Sequence, residues 1–229
     1  MKIINKTHKN TITNIDEWKT YAPPQKDYQW QKGRSAMEFA KYFLNNYPNI
    51  PKEIQLIVNQ YSATNIHTCI PEYETPLYGK GNGRNHDLAM FATDLFVGVE
   101  AKVDESFDVT ILEALQNASN NKINRIRKLC DLVFGKQDFK QLTLRYQLLT
   151  ATAGVLLEAK RLNVSKAILL IVELKTNGNY QEDKLICNQN DLDLFLDYLK
   201  DNNSFKDANQ YPTYNDCNHI ELFIHKIII

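Results

Sequence analysis

His86-Asp87-Leu88-Ala89-Met90-Phe91-Ala92, then Thr93-Asp94, then Leu95-Phe96-Val97-Gly98-Val99-Glu100-Ala101-Lys102-Val103 is a pair of apolar runs joined by a short polar step. Both runs have the length and composition of strands, and Thr93-Asp94 reads as the turn of an antiparallel hairpin. Alternation along the second run groups Phe96, Gly98, Glu100 and Lys102 on one face and leaves Val97, Val99, Ala101 and Val103 as the core-facing stripe. The antiparallel return brings Asp87 back beside the distal half of the second run, so that Asp87 and Glu100 can share one cation.

A carboxylate or ammonium inside an apolar strand costs several kcal/mol, roughly, unless it is paired. A metal ion resolves that cost. The Asp87 and Glu100 carboxylates and the Ala101 carbonyl offer hard oxygen ligands to Mg²⁺ or Mn²⁺, and Lys102 stands beside the position of an attacking water. The same constellation, Asp87 followed by Glu100-Ala101-Lys102, resembles the core of the PD-(D/E)XK nuclease superfamily. Three segments in order resemble an uncharacterised bacterial family within it: Trp30 through Ala40, Val99 through Phe107, and Leu144 through Leu149. His86 stands where a proline may precede the acid in that superfamily, a variation that leaves the ligand chemistry intact. The resemblance implies a restriction-endonuclease-like α/β fold, a central mixed sheet flanked by helices, and metal-dependent hydrolysis of phosphodiesters, DNA before RNA. It also suggests a role in bacterial defence, restriction or repair.

The chain of 229 residues suits one substantial domain, with 1–29 as a polar N-terminal arm broken by Pro23-Pro24 and 30–229 as the nuclease-like domain. Hydrophobic residues at 43% and charged residues at 24% exclude wholesale disorder. The formal net charge of zero argues against a global basic field, so any phosphate-binding surface must be a local cluster. Cys69, Cys130, Cys187 and Cys217 are widely separated and indicate neither a disulfide framework nor a zinc site; with no leader-like start and no membrane-length apolar run, a cytoplasmic protein is expected.

Outward from the hairpin, Ser35 with Glu38 forms a capping-box pattern opening a helix that ends before Tyr47-Pro48, and Pro51 starts a second helix through Tyr61. The stretch from Val109 to Phe134 reads as helical, interrupted at 117–121. Leu144, Leu148, Ala151, Val155, Ala159 and Leu162 mark one face of a long helix, and Ala167 through Val172 a strand covered on both sides. Asn190 or Asp191 is expected to cap a further helix through Leu199, followed by a polar linker and a final strand containing Ile220, Leu222 and Ile224.

Each candidate has a plain structural alternative. Asp87, Glu100 and Lys102 could be a solvated ion-pair network. Glu173-Leu174-Lys175 repeats the Glu-x-Lys spacing without an acid-bearing hairpin before it, and reads as a strand end emerging into solvent. Glu38 can either add a catalytic carboxylate or cap its helix, while Glu72, Glu74 and Glu105 are weaker sources of a further acid. Arg145 and Gln147 at the start of the long helix can grip phosphate or meet a base edge, and Lys80 and Arg84 frame a glycine-rich basic loop suited to close phosphate approach. The histidines lack zinc spacing, and Ser35 and Ser62 lack a nucleophile elbow. Two functions are therefore expected: a nuclease, for which a homodimer would suit two-strand cutting, or a fold relative without turnover that binds nucleic acid, a nucleotide or a partner protein.

Overall fold

Strand β4 (Leu95–Lys102) is buried at all eight positions, which makes it the centre of the molecule. A computed structural model of the chain describes residues 1–103, 105–135, 142–175, 182–200 and 208–229. In chain order the elements are β1 (Lys2–Ile3), α1 (Ile15–Tyr21), α2 (Ser35–Leu44), α3 (Lys52–Tyr61), β2 (Thr68–Thr75), β3 (Arg84–Phe91), β4, α4 (Ile111–Leu115), α5 (Asn120–Phe134), α6 (Tyr146–Leu162), β5 (Lys166–Glu173), α7 (Glu182–Lys200), β6 (Gln210–Tyr211) and β7 (Glu221–Ile228). The strands form a seven-stranded mixed sheet in the order β1-β2-β3-β4-β5-β7-β6. β3 runs antiparallel to both of its neighbours, β2 and β4, whereas β4, β5 and β7 are parallel. The fold is thus α/β, with helices on both faces of a mixed sheet.

Two apolar layers hold the helices to that sheet. Val97, Val99 and Ala101 of β4 pack with Phe39 and Phe43 of α2, Ile54 and Val58 of α3, and Trp18 of α1. On the opposite face, Phe96 of β4 joins Leu148, Leu149 and Val155 of α6, Leu129 and Val133 of α5, and Phe195 of α7. Both faces of β4 are therefore covered, not only the valine stripe expected from alternation. α6 is buried from Leu148 through Leu156 because it lies between the sheet and α5, so its apolar surface is far wider than one face. The N-terminal 29 residues do more than lie on the body: Ile3, Ile12 and Trp18 are buried in the first layer, and β1 pairs with β2.

Helix ends follow local chemistry. The Ser119 hydroxyl accepts the Lys122 N–H at the start of α5, whose end is turned by Gly135 at φ 68°. At α2, Arg34 is the capping position and Ser35 the first helical residue, so the expected Ser35 capping box does not form; Glu38 instead accepts the Gly33 N–H at 2.9 Å. α7 begins at Glu182, well before the expected caps at Asn190 and Asp191, which lie inside it. The polar linker expected after it falls partly in 201–207, outside the described residues. The turn between β3 and β4 is held by Asp94, whose carboxylate accepts the Ser62 hydroxyl at 2.5 Å and the Thr64 hydroxyl at 2.7 Å.

Gly98 allows α6 to close on β4. A Cβ there would stand 2.6 Å from Val155 Cγ1 and 2.7 Å from His86 Nδ1, both inside the core. Gly98→Ala is expected to destabilise the protein by about 1–3 kcal/mol through overpacking, read as a lowered denaturant midpoint with an unchanged m-value.

Candidate active site

The hairpin that carries the acids comes apart where they sit. The β3–β4 ladder runs from Phe91↔Phe96 to Leu88↔Val99 and stops, while β4 stays registered with β5 through Lys102↔Glu173. Asp87 and Glu100 occupy the next positions, at the fork. The Ala101 N–H at the fork donates to Asp87 Oδ2 at 2.7 Å, so a side chain replaces a strand as its partner. The β2–β3 ladder also skips a step, from Pro71↔Leu88 to Tyr73↔His86, and the skipped Glu72 has φ 49°. That left-handed residue breaks the alternation. Leu88 and Met90 lie in the α2/α3 layer, yet His86 packs on Phe96 and beneath Gly98 and Gly154, on the α6 side. Regular alternation would have put it on the other face.

Glu100 is 4% exposed and held from three directions. Lys102 Nζ lies 2.9 Å from Oε1, the Gln147 side-chain amide donates to Oε1 at 2.5 Å, and the Arg84 guanidinium contacts Oε2. Asp87 accepts the Ala101 N–H through one oxygen; the other accepts no hydrogen bond from the described residues. Burial raises the Asp87 carboxyl above the usual carboxylate range, against the pull of the Ala101 N–H and of Lys102 and Arg84. Glu72 is pushed up to about 8 by burial and by the charge of Asp87. Burial draws Lys102 down to about 8, with Asp87 opposing.

These groups line one cleft of about 750 Å³, which also receives Glu105 from beyond β4 and Lys184 and Cys187 from α7. Glu105 ties two walls together, accepting from the Val103 N–H at 3.0 Å and from the Ser35 N–H and hydroxyl, each at 3.2 Å. Arg145, the capping position of α6, donates to the Asp108 carbonyl at 2.9 Å and pairs with Asp191 at 2.9 Å.

Of the residues singled out from sequence, Asp87, Glu100, Ala101, Lys102, Arg84, Arg145 and Gln147 line this cleft. Glu38 does not: its carboxylate is spent on the Gly33 N–H and on Lys41 at 3.1 Å. Lys80 lines a separate cavity. Glu173 does not emerge into solvent; it is 1% exposed and paired with Lys226 of β7 at 2.5 Å, while Lys175 beyond it is exposed. Glu72 and Glu105, the lesser candidates, are in the cleft, and Asn85 and Lys184 join them without any prior signal. Cross-strand register with Asp87 would have pointed to Glu72; nothing in the sequence marks Lys184.

The donor set suits a hard cation of modest coordination demand. Asp87, Glu100 and Ala101 line the cleft together, and carboxylate and carbonyl oxygens are the donor type that hard divalent cations take. Among the described residues no group of three or more His, Cys, Asp and Glu side chains is placed to hold a metal ion.

The family description "Domain of unknown function (DUF6946)" matches residues 11–229, and the chain belongs to that family. No curated protein and no solved structure matches it. No helix among the described residues is long and apolar enough to cross a membrane.

His86 gives a stability test of the packing under this site. Burial, reinforced by the Arg84 charge, lowers it from its ordinary 6.5 to about 3, so the unfolded chain binds a proton before the folded one does. Its contribution to stability is complete above about pH 6.5 and is lost as pH falls toward about 3. His86→Gln should lose less unfolding free energy than the wild type between about pH 7 and about pH 4.5, measured by urea denaturation at each pH.

Proposed function

We propose that this protein is a metal-dependent phosphodiester hydrolase of PD-(D/E)XK type, acting on DNA in preference to RNA. The observation that carries the reading is the meeting of Asp87, Glu100 and Lys102 in one cleft at the point where β3 and β4 part. Three charged groups at a strand fork, two of them nearly buried, are poorly explained as a solvated surface network.

Asp87, Glu100 and the Ala101 carbonyl would hold Mg²⁺ or Mn²⁺, which when bound supplies Lewis acidity toward the scissile phosphate and acidifies a bound water. The chain's own groups divide the remaining work. Asp87 is oriented by the Ala101 N–H, leaving one oxygen for a ligand. Gln147 holds Glu100 from α6, and its position on the cleft wall fixes the carboxylate's orientation. Lys102 reaches Glu100 Oε1, and its lowered basicity suits a group that orients an attacking water, can accept its proton and, once protonated, offsets the charge developing on the phosphoryl oxygens. Arg84 and Arg145 supply guanidinium groups at the cleft to the substrate's phosphate oxygens.

One observation favours a second reading, a binding module without turnover. Glu100 is already engaged by Arg84, Lys102 and Gln147, which between them balance its charge and occupy both of its oxygens. Cleavage and metal binding separate the two. With Mg²⁺ or Mn²⁺, a panel of linear duplex, single-stranded DNA and RNA should show cleavage that EDTA abolishes. Glu100→Ala and Lys102→Ala should each lower the rate roughly 10²–10⁴-fold with the far-ultraviolet circular dichroism unchanged. Calorimetry should show a Mn²⁺ site that Asp87→Ala removes. A flat Mn²⁺ titration together with an inert panel rules out the hydrolase.

A further inference from the structure

A second cavity, of about 630 Å³, adjoins the cleft on its α5 side. Lys80, Gly81 and Asn82 of the β2–β3 loop, Lys122 and Arg125 of α5, and Tyr146 of α6 form its characteristic walls. We propose that this cavity binds the phosphodiester backbone of the nucleic acid away from the scissile bond; this rests on the nuclease reading of the cleft and extends it to a second site on the same substrate.

Charge sets this cavity apart. The whole chain is neutral, yet the cavity is lined by two lysines and an arginine and by no carboxylate. Among the described residues Lys80 and Lys122 have no ion-pair partner; the Lys122 ammonium lies 5.9 Å from the centre of the Tyr146 ring. Cations left uncompensated in a concavity raise the local concentration of polyanions. Arg125 donates to the Asn82 carbonyl, and a Cβ on Gly81, which has φ 123°, would stand 2.8 Å from the Arg125 guanidinium. Glycine thus lets the loop lie against the arginine, while Arg125 Nε has no hydrogen-bond partner among the described residues.

Continuity selects a polymer over a small anion. Gly83 lines the basic cavity and the next residue, Arg84, lines the cleft; Tyr146 lines the cavity and the next residue, Gln147, holds Glu100. Neighbouring residues along the chain thus line both concavities, so one strand passing from one to the other presents phosphates to each. Binding of this kind positions the substrate without reading its sequence.

The test is fluorescence anisotropy of a labelled duplex of about 20 base pairs, in a Ca²⁺ buffer, across about 50–200 mM salt. Lys80→Ala/Lys122→Ala should bind more weakly and reduce the slope of log K against log salt by about 2, one unit for each phosphate no longer neutralised. Lys52→Ala, in α3 on the other face of the sheet, should leave the slope unchanged. An unchanged slope in the double variant, duplex binding too weak to measure, or saturation by inorganic phosphate with no salt-dependent DNA binding each overturns the proposal. The cavity and the cleft can fail separately. Wild-type cleavage with an unaltered slope removes the backbone site and leaves the nuclease, whereas the slope change in a chain that never cleaves leaves the backbone site and removes turnover.

Discussion

One hydrogen bond organises the centre of this molecule. Where β3 leaves β4, an N–H of a buried strand is parted from the neighbour that should receive it, and the carboxylate of Asp87 takes that place. An unpaired N–H there would cost about 1–3 kcal/mol, so the opening of the sheet and the side chain that closes it depend on each other. The opening is what lets the cleft reach the middle of a sheet otherwise sealed on both faces by helices.

The charges at the fork form a balanced set rather than a chain of independent pairs. Glu100 draws on Arg84 and Lys102 at once, and Asp87 interacts with the same two cations. Glu72 brings a further carboxylate against Asp87, whose charge raises its proton affinity. Such a set is costly to bury, since removing one member of a buried pair typically costs about 3–5 kcal/mol. Apolar residues would fill the same space at lower cost, so its presence favours a role in handling charge.

The sequence shows the hairpin and the long helix plainly, because Thr93-Asp94 interrupts two strand-like runs and the apolar spacing through α6 is regular. Its blind spots have physical causes. Alternation fails at Asp87, opposite the left-handed Glu72 in the skipped step of the β2–β3 ladder, a juxtaposition that only the pairing of the two strands reveals. Glu38 is drawn off by the Gly33 N–H, a local bond that outcompetes any distant site. Glu105 gains its place from the Ser35 N–H, seventy positions away in sequence. Glu173 mimics the Glu-x-Lys spacing one strand over, but Lys226 of β7 neutralises it, and that partner is visible only once parallel neighbours are known.

The Asp94 turn has a consequence for how such a chain can vary across generations. Its carboxylate is clamped by Ser62 and Thr64, so the number of residues between β3 and β4 is set from outside the hairpin. A single inserted or deleted residue there would reverse the faces of β4, burying Glu100 among the α2 and α3 side chains and turning Val99 toward the cleft. The loop carrying Lys80 is closed at its base by the Gly83 N–H on Glu74 and touched by Arg125 at the Asn82 carbonyl, bonds that leave the number of residues between Thr75 and Asn82 unfixed. Lineages of this protein should accordingly tolerate length changes between β2 and β3 and purge them between β3 and β4.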